Sequence, residues 1–127
     1  MGGFFSAQAA NAAEEGESAV TAVHSSGEWT QYWQSHSQTN KLMVIDFSAT
    51  WCGPCRFMEP AFRAMADQYT EAVFLKIDVD ELPDVSRQWK VQAMPTFVLV
   101  RGGQEVGRIV GARKDELEKQ IKGLLAM

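Results

Sequence analysis

The chain has 127 residues, of which 46% are hydrophobic, and it carries a formal net charge of -4. A chain of this length buries roughly 65–70% of the surface that its unfolded form exposes, so we expect one domain with an ordinary core. The acidic balance and the scattered basic residues argue against a nucleic-acid partner, and no apolar run approaches the ~20 residues of a membrane span.

The N-terminal stretch, residues 1–17, is small, polar or acidic and has no periodic apolar face. We predict that it is a disordered extension ahead of a single domain at residues 18–127. It lacks the basic region and the apolar run of a secretory signal. Residues 1–6 fit the N-myristoylation pattern with Gly2 as the acceptor, which would give weak, reversible membrane association. A plain solvated tail is the alternative interpretation.

Three elements are predicted before the cysteines. Residues 18–24 alternate apolar and polar side chains, which favours a short edge strand. Ser25 and Glu28 form a capping-box pattern at the start of a helix that should end near Asn40. Residues 41–49 are almost continuously apolar, which is typical of a central strand covered on both faces.

Asp46 interrupts this central strand. A buried carboxylate is costly unless it is neutral, paired or solvated through a cavity. Two interpretations follow: Asp46 has a raised pKa and handles protons, or it reaches a polar neighbour at the edge of the sheet.

The second half of the chain continues the alternation of strands and helices. A long helix is predicted at residues 52–69, with a kink at Pro60. The remaining elements are a strand at 72–79, a short helix at 80–90, a strand at 96–100, an antiparallel edge strand at 105–110 and a closing helix at 114–127. This order predicts an α/β protein, a three-layer sandwich with a parallel core and an antiparallel edge.

Cys52 and Cys55 are the only cysteines, and they lie three positions apart in a W-C-G-P-C motif. One such pair in an otherwise cysteine-free chain is typical of a redox-active site. A zinc site would need about four ligands, and the two histidines, His24 and His36, are far from the pair in sequence. We therefore expect no metal.

The position of the pair predicts different roles for the two cysteines. Cys52 lies where a strand gives way to a helix, and the N–H groups and the dipole of the helix favour a thiolate there. The thiolate is the species that attacks a disulfide. Cys55 lies one turn into the helix, should be less exposed and suits the resolving role. Asp46 is the best placed acid or base in the sequence to deprotonate it.

Several motifs occur in the order and spacing of one family: Asp46-Phe47, Trp51 to Arg56, Pro60, Lys76, Met94-Pro95-Thr96 and Val110-Gly111-Ala112. Over about residues 20–126 the chain resembles the thioredoxins, and it looks most like plant h-type thioredoxins with an extended N-terminus. The resemblance implies the thioredoxin fold, a three-layer α/β/α sandwich whose central mixed sheet has about five strands flanked by four helices.

The resemblance also implies site roles. Cys52 would be the nucleophile and Cys55 the resolving thiol, with Asp46, linked to Lys76, as the buried proton acceptor. Pro95 would be cis and would lie against the cysteines as part of the substrate-binding surface. A flat apolar docking patch is implied, made of Trp51, Gly53, Pro54, Met94, Val110, Gly111 and Ala112.

The implied activity is reduction of disulfides in target proteins such as peroxiredoxins and methionine sulfoxide reductases. The chain would be a cytoplasmic monomer that binds no cofactor and receives electrons from NADPH through a thioredoxin reductase. Two alternatives are weighed against this function. An oxidase or isomerase usually has histidine where Pro54 stands, and an interaction or chaperone module with little turnover has no need of both cysteines.

Overall fold

The computed structural model describes residues 18–127, which form five strands and four helices in the predicted order. The strands are β1 (Val20–Val23), β2 (Met43–Ser48), β3 (Val73–Asp78), β4 (Thr96–Arg101) and β5 (Gln104–Val110). The helices are α1 (Ser26–His36), α2 (Gly53–Gln68), α3 (Pro83–Gln88) and α4 (Lys114–Leu125). The predicted disordered extension and its acyl acceptor Gly2 lie outside the described residues.

The strands form one mixed sheet in the order β1-β3-β2-β4-β5. β1, β3 and β2 are parallel, whereas β4 runs antiparallel to β2, and β5 runs antiparallel to β4. The alternation of strands and helices had implied a parallel core up to the fourth strand. With six residues, α3 is about 9 Å long, whereas a six-residue strand spans about 20 Å. The connection therefore makes no helical crossover of the kind that joins parallel strands, and β4 starts at the edge where β2 and β3 end.

Alternate side chains of the sheet pack into two core clusters. Val44 and Phe74 face α2 and α4, where they join a cluster with Phe62. Ile45 and Leu75 point to the opposite face and join a cluster with residues of α1 and α3. All six residues of β2 are buried, which explains its continuous apolar run. The three-layer sandwich is therefore confirmed.

The start of α1 is as predicted from the sequence, whereas its end is not. Ser25 caps the helix, and its hydroxyl oxygen accepts a hydrogen bond from the N–H of Glu28 at 3.1 Å. The helix ends at His36 and not near Asn40. The hydroxyl of Thr39 donates to the carbonyl oxygen of His36 at 2.8 Å, so a side chain takes an acceptor that a longer helix would use.

Candidate active site

The two cysteines lie at the edge of the sheet where β2 gives way to α2. A disulfide joins Cys52 and Cys55, whose Cα atoms are 5.3 Å apart. Cys52 is the N-cap of α2, and its sulfur accepts a hydrogen bond from the N–H of Cys55 at 3.2 Å. The first turn of the helix therefore offers Cys52 a donor that stabilises a thiolate when the pair is reduced.

The two cysteines do not differ in exposure in this disulfide form. Both are 6% exposed, so the predicted lower exposure of Cys55 is not seen. The S–S bond keeps the two sulfur atoms together, and the pair shares the same covering neighbours, Ala49, Val79 and Met94.

The start of β4 supplies the neighbour of Cys52. The Met94–Pro95 peptide bond is cis, as the resemblance implied. The carbonyl oxygen of Met94 lies 3.7 Å from the Cys52 sulfur, and Ala49 and Val79 also pack around the pair. A disulfide sulfur has no proton to donate, so this contact becomes a hydrogen bond only when Cys52 is a thiol.

The residues predicted for the docking patch come from three segments that meet at this edge. Trp51 is 64% exposed, and its indole N–H donates to a carboxylate oxygen of Asp80 at 2.8 Å. The N–H of Gly111 donates to the carbonyl oxygen of Pro95 at 2.8 Å, and Val110 is 47% exposed. The other members are the exposed Gly53 and Pro54 and the half-buried Met94 and Ala112. Asp80 was not predicted, because its pairing with Trp51 joins residues 29 positions apart.

Asp46 lies in β2 and faces the α2 side of the sheet. It is 4% exposed, and its Oδ1 atom has no hydrogen-bond partner. Burial raises the pKa of Asp46 from its ordinary 3.8 to about 7, while the positive charge of Lys76 lowers it and the negative charge of Glu59 raises it. The carboxyl group therefore exchanges its proton near neutral pH.

Two neighbouring cavities adjoin Asp46 and the disulfide. One has a volume of about 310 Å³ and is lined in part by Asp46, and the other has about 200 Å³ and is lined in part by Cys55. Four residues line both cavities: Thr50, Glu59, Lys76 and Asp78. Both volumes are large enough for water, and their walls are partly polar.

Lys76 approaches a different carboxylate from the one the resemblance implied. Asp46 and Lys76 are register partners in β2 and β3. The ammonium nitrogen of Lys76, however, lies 3.6 Å from Glu59 Oε2 in α2, so Lys76 acts on Asp46 by charge alone. Glu59 was not predicted from the sequence. Its position four residues after Cys55 would have placed it on the same face of the helix.

Within residues 18–127, no group of three or more histidine, cysteine, aspartate or glutamate residues could hold a metal ion. None of the helices in that range is long and apolar enough to cross a membrane.

Comparisons with known proteins agree with this geometry. A family profile described as Thioredoxin matches residues 20–123. The chain is 61% identical over 127 residues to Thioredoxin H2-1 of Oryza sativa subsp. japonica, which covers 98% of this chain and 92% of that protein. It is 53% identical over 113 residues to Thioredoxin H2 of Arabidopsis thaliana, covering 89% of this chain and 85% of that protein.

Solved structures give the same result. The crystal structure of thioredoxin NaTrxh from Nicotiana alata matches with a TM-score of 0.82 and 57% identity, covering 84% of this chain and 92% of that one. The poplar thioredoxin h PtTrxh4 matches with a TM-score of 0.81 and 40% identity, covering 85% and 97% of the two chains.

Proposed function

The chain belongs to the thioredoxin family and is a thiol–disulfide oxidoreductase that reduces protein disulfides, and on that premise we propose how its residues share the reaction. The observation that carries the proposal is the Cys52–Cys55 disulfide at the N-terminus of α2, beside the carbonyl group of Met94. The pair is the electron carrier, and the surrounding residues bind the target and move protons.

In the first step the Cys52 thiolate attacks one sulfur of the target disulfide. A new S–S bond forms between Cys52 and the target, and the second target sulfur leaves as a thiolate that takes up a proton. The N–H of Cys55, 3.2 Å from the Cys52 sulfur, supports the attacking thiolate. The exposed apolar surface of Trp51 and Val110 binds the target while the bond forms.

In the second step Cys55 loses its proton and attacks the Cys52 sulfur of the mixed disulfide. The Cys52–Cys55 bond forms, and the remaining target sulfur leaves and is protonated. Two electrons have then passed from the pair to the target; the Cys55 proton goes to Asp46, and the two target thiolates take up their protons from the surrounding water. Asp46 accepts the Cys55 proton through water in the two cavities, and its pKa of about 7 suits transfer in either direction at neutral pH.

The reduction of insulin disulfides by dithiothreitol tests this assignment. The native protein should accelerate the precipitation of the reduced insulin chains, and Cys52→Ser and Cys55→Ser should both lose the acceleration. Asp67→Asn, a change at an exposed residue of α2, is the matched control and should keep it. A native protein that gives no acceleration would contradict the proposal.

The oxidised pair must be reduced again after each turnover. As a family member, the chain works with a thioredoxin reductase and with disulfide targets, and we propose that the electrons come from NADPH. Peroxiredoxins and methionine sulfoxide reductases are the proposed targets, because both complete their cycles as disulfides. With a plant thioredoxin reductase and either target, the absorbance of NADPH should fall only when the chain carries both Cys52 and Cys55. No fall in absorbance with the native chain would refute this path of electrons from NADPH to the target.

We also propose a cytoplasmic monomer that associates weakly with membranes through a myristoyl group on Gly2. The sequence of residues 1–6 supports the proposal. Intact mass from a eukaryotic expression host should show the acyl group on the native chain and not on Gly2→Ala. Equal membrane fractions for the two chains would contradict the anchoring role.

A further inference from the structure

Glu59 lines both cavities and pairs with two cations that line the same cavity as Asp46. Its Oε2 atom is 3.6 Å from Lys76 Nζ, and its Oε1 atom is 3.7 Å from Arg63 Nη2. Glu59 follows Cys55 by four residues in α2, so the two side chains lie on one face of the helix, one turn apart. Glu59 therefore borders both the cavity of the resolving thiol and the cavity of the buried acid.

The pairing of Lys76 with Glu59 leaves Asp46 without a direct partner. Asp46 and Lys76 are opposite each other in the parallel ladder of β2 and β3, where neighbouring strands are about 5 Å apart. A lysine side chain could reach the carboxyl group across that distance. Lys76 instead approaches Glu59, and Asp46 Oδ1 is buried with no hydrogen-bond partner.

We propose that Glu59 is a positioning residue that holds the ammonium group of Lys76 away from Asp46 and so favours the protonated form of that buried carboxyl group. Two effects act in the same direction. Glu59 weakens the stabilisation that Lys76 gives to an ionised Asp46, and its own negative charge opposes that ionisation, which raises the pKa of Asp46 further. The importance of Glu59 for turnover rests on the proposed role of Asp46 in proton transfer, whereas its effect on the protonation of Asp46 does not.

Other charged groups share the cavity that Asp46 lines. The charged residues around it are Glu59 and Arg63 of α2, Lys76 and Asp78 of β3, His24 after β1 and Glu81 before α3. Glu81 approaches His24 instead of Lys76: its Oε1 atom lies 3.0 Å from Nδ1 of the His24 ring. Glu81 is thus an acidic residue of the same cavity that does not hold the lysine, and it provides the matched control.

The experiment is a carbon-13 NMR titration of the Asp46 carboxyl group in the full-length, oxidised protein. In Glu59→Gln the titration midpoint should fall by about half a pH unit or more, because Lys76 is free to approach Asp46. Glu81→Gln should keep the native midpoint. An unchanged midpoint in Glu59→Gln, or an equal fall in Glu81→Gln, would overturn the inference.

The same titration in a Lys76→Met variant distinguishes two effects of Glu59 on Asp46: the positioning of Lys76 and the direct effect of the Glu59 charge. In Lys76→Met protein, Glu59→Gln should shift the Asp46 midpoint less than half as far as it does in the native chain. An equal shift in both backgrounds would show that Glu59 acts by its own charge alone and would overturn the positioning role. Glu59 is partly exposed, so its replacement by glutamine should leave the fold intact.

Kinetics distinguish this inference from the proposed function on which its importance rests. The pH profile of insulin reduction should move to lower pH in Glu59→Gln by the shift seen in NMR. If Asp46→Asn keeps the native pH profile, the role of Asp46 in proton transfer is wrong, and the NMR result still stands. If the NMR midpoint does not move, the inference on Glu59 is wrong whatever the kinetics show.

Discussion

Replacing Asp46 with asparagine should make the fold more stable at alkaline pH, although the residue belongs to the active site. Burial raises the pKa of Asp46 to about 7, from an ordinary value of 3.8 in the unfolded chain. The folded protein therefore holds this proton more tightly than the unfolded chain does. The contribution to stability is greatest below pH 3.8, decreases as the pH rises and is lost above pH 7.

These two pKa values give the size of the effect. Between pH 5 and pH 8, such a carboxyl group lowers the free energy of unfolding by about 3 kcal/mol, since each pH unit between the two pKa values contributes about 1.4 kcal/mol. Asparagine cannot ionise, so Asp46→Asn should lose this component of the pH dependence. At pH 5 the folded Asp46 is still neutral but the unfolded chain is already ionised, so about 1.7 kcal/mol of the effect is present there, and the remainder appears between pH 5 and pH 8.

Urea denaturation of the oxidised proteins at pH 5 and pH 8 measures the difference. The disulfide form is the right one because neither cysteine titrates in it. The advantage of Asp46→Asn should grow by about 3 kcal/mol between the two pH values. Asp67→Asn, the same chemical change at an exposed site, should follow the native protein. An Asp46→Asn advantage that is the same at both pH values would refute the raised pKa.

Three further substitutions test packing and backbone geometry. Phe62→Ala should lower the free energy of unfolding by about 3–5 kcal/mol in urea, because Phe62 is fully buried against Phe74; a loss below about 1 kcal/mol would contradict this packing. Gly111→Ala should lower it by about 1–2 kcal/mol, because the φ of Gly111 is 99°. Gly107→Ala should change it by less than about 1 kcal/mol, since the new methyl group would clash only with the flexible end of Gln120 and would touch Leu99 at an ordinary contact distance. A cost equal to that of Gly111→Ala would contradict this distinction.

The sequence predicted the elements whose signals are local. The continuous apolar run of β2 indicated a strand covered on both faces, and the structure buries all of it. Ser25 was identified as a helix cap from its own hydroxyl and the glutamate three residues later. The role of the cysteine pair followed from its spacing and from the strand-to-helix junction.

Features that depend on distant residues could not be predicted from local pattern. The antiparallel direction of β4 depends on which edge of the sheet the connection from β3 reaches, and a pattern of alternating elements does not contain this information. The partner of Lys76 is decided by where α2 packs on β3, and this brings Glu59 to the lysine in place of Asp46. The cis bond before Pro95 came from the family resemblance and not from composition, since only about 5–6% of such bonds are cis.

The central claim is that Cys52 attacks the target and Cys55 resolves the mixed disulfide. Mass spectrometry of the reduced Cys55→Ser and Cys52→Ser proteins, incubated with insulin under non-reducing conditions, tests it most directly. Cys55→Ser should form a stable adduct through Cys52, because no second thiol remains to release it. Cys52→Ser should form little or none. A stable adduct on Cys55 in Cys52→Ser, with none in Cys55→Ser, would contradict the assignment.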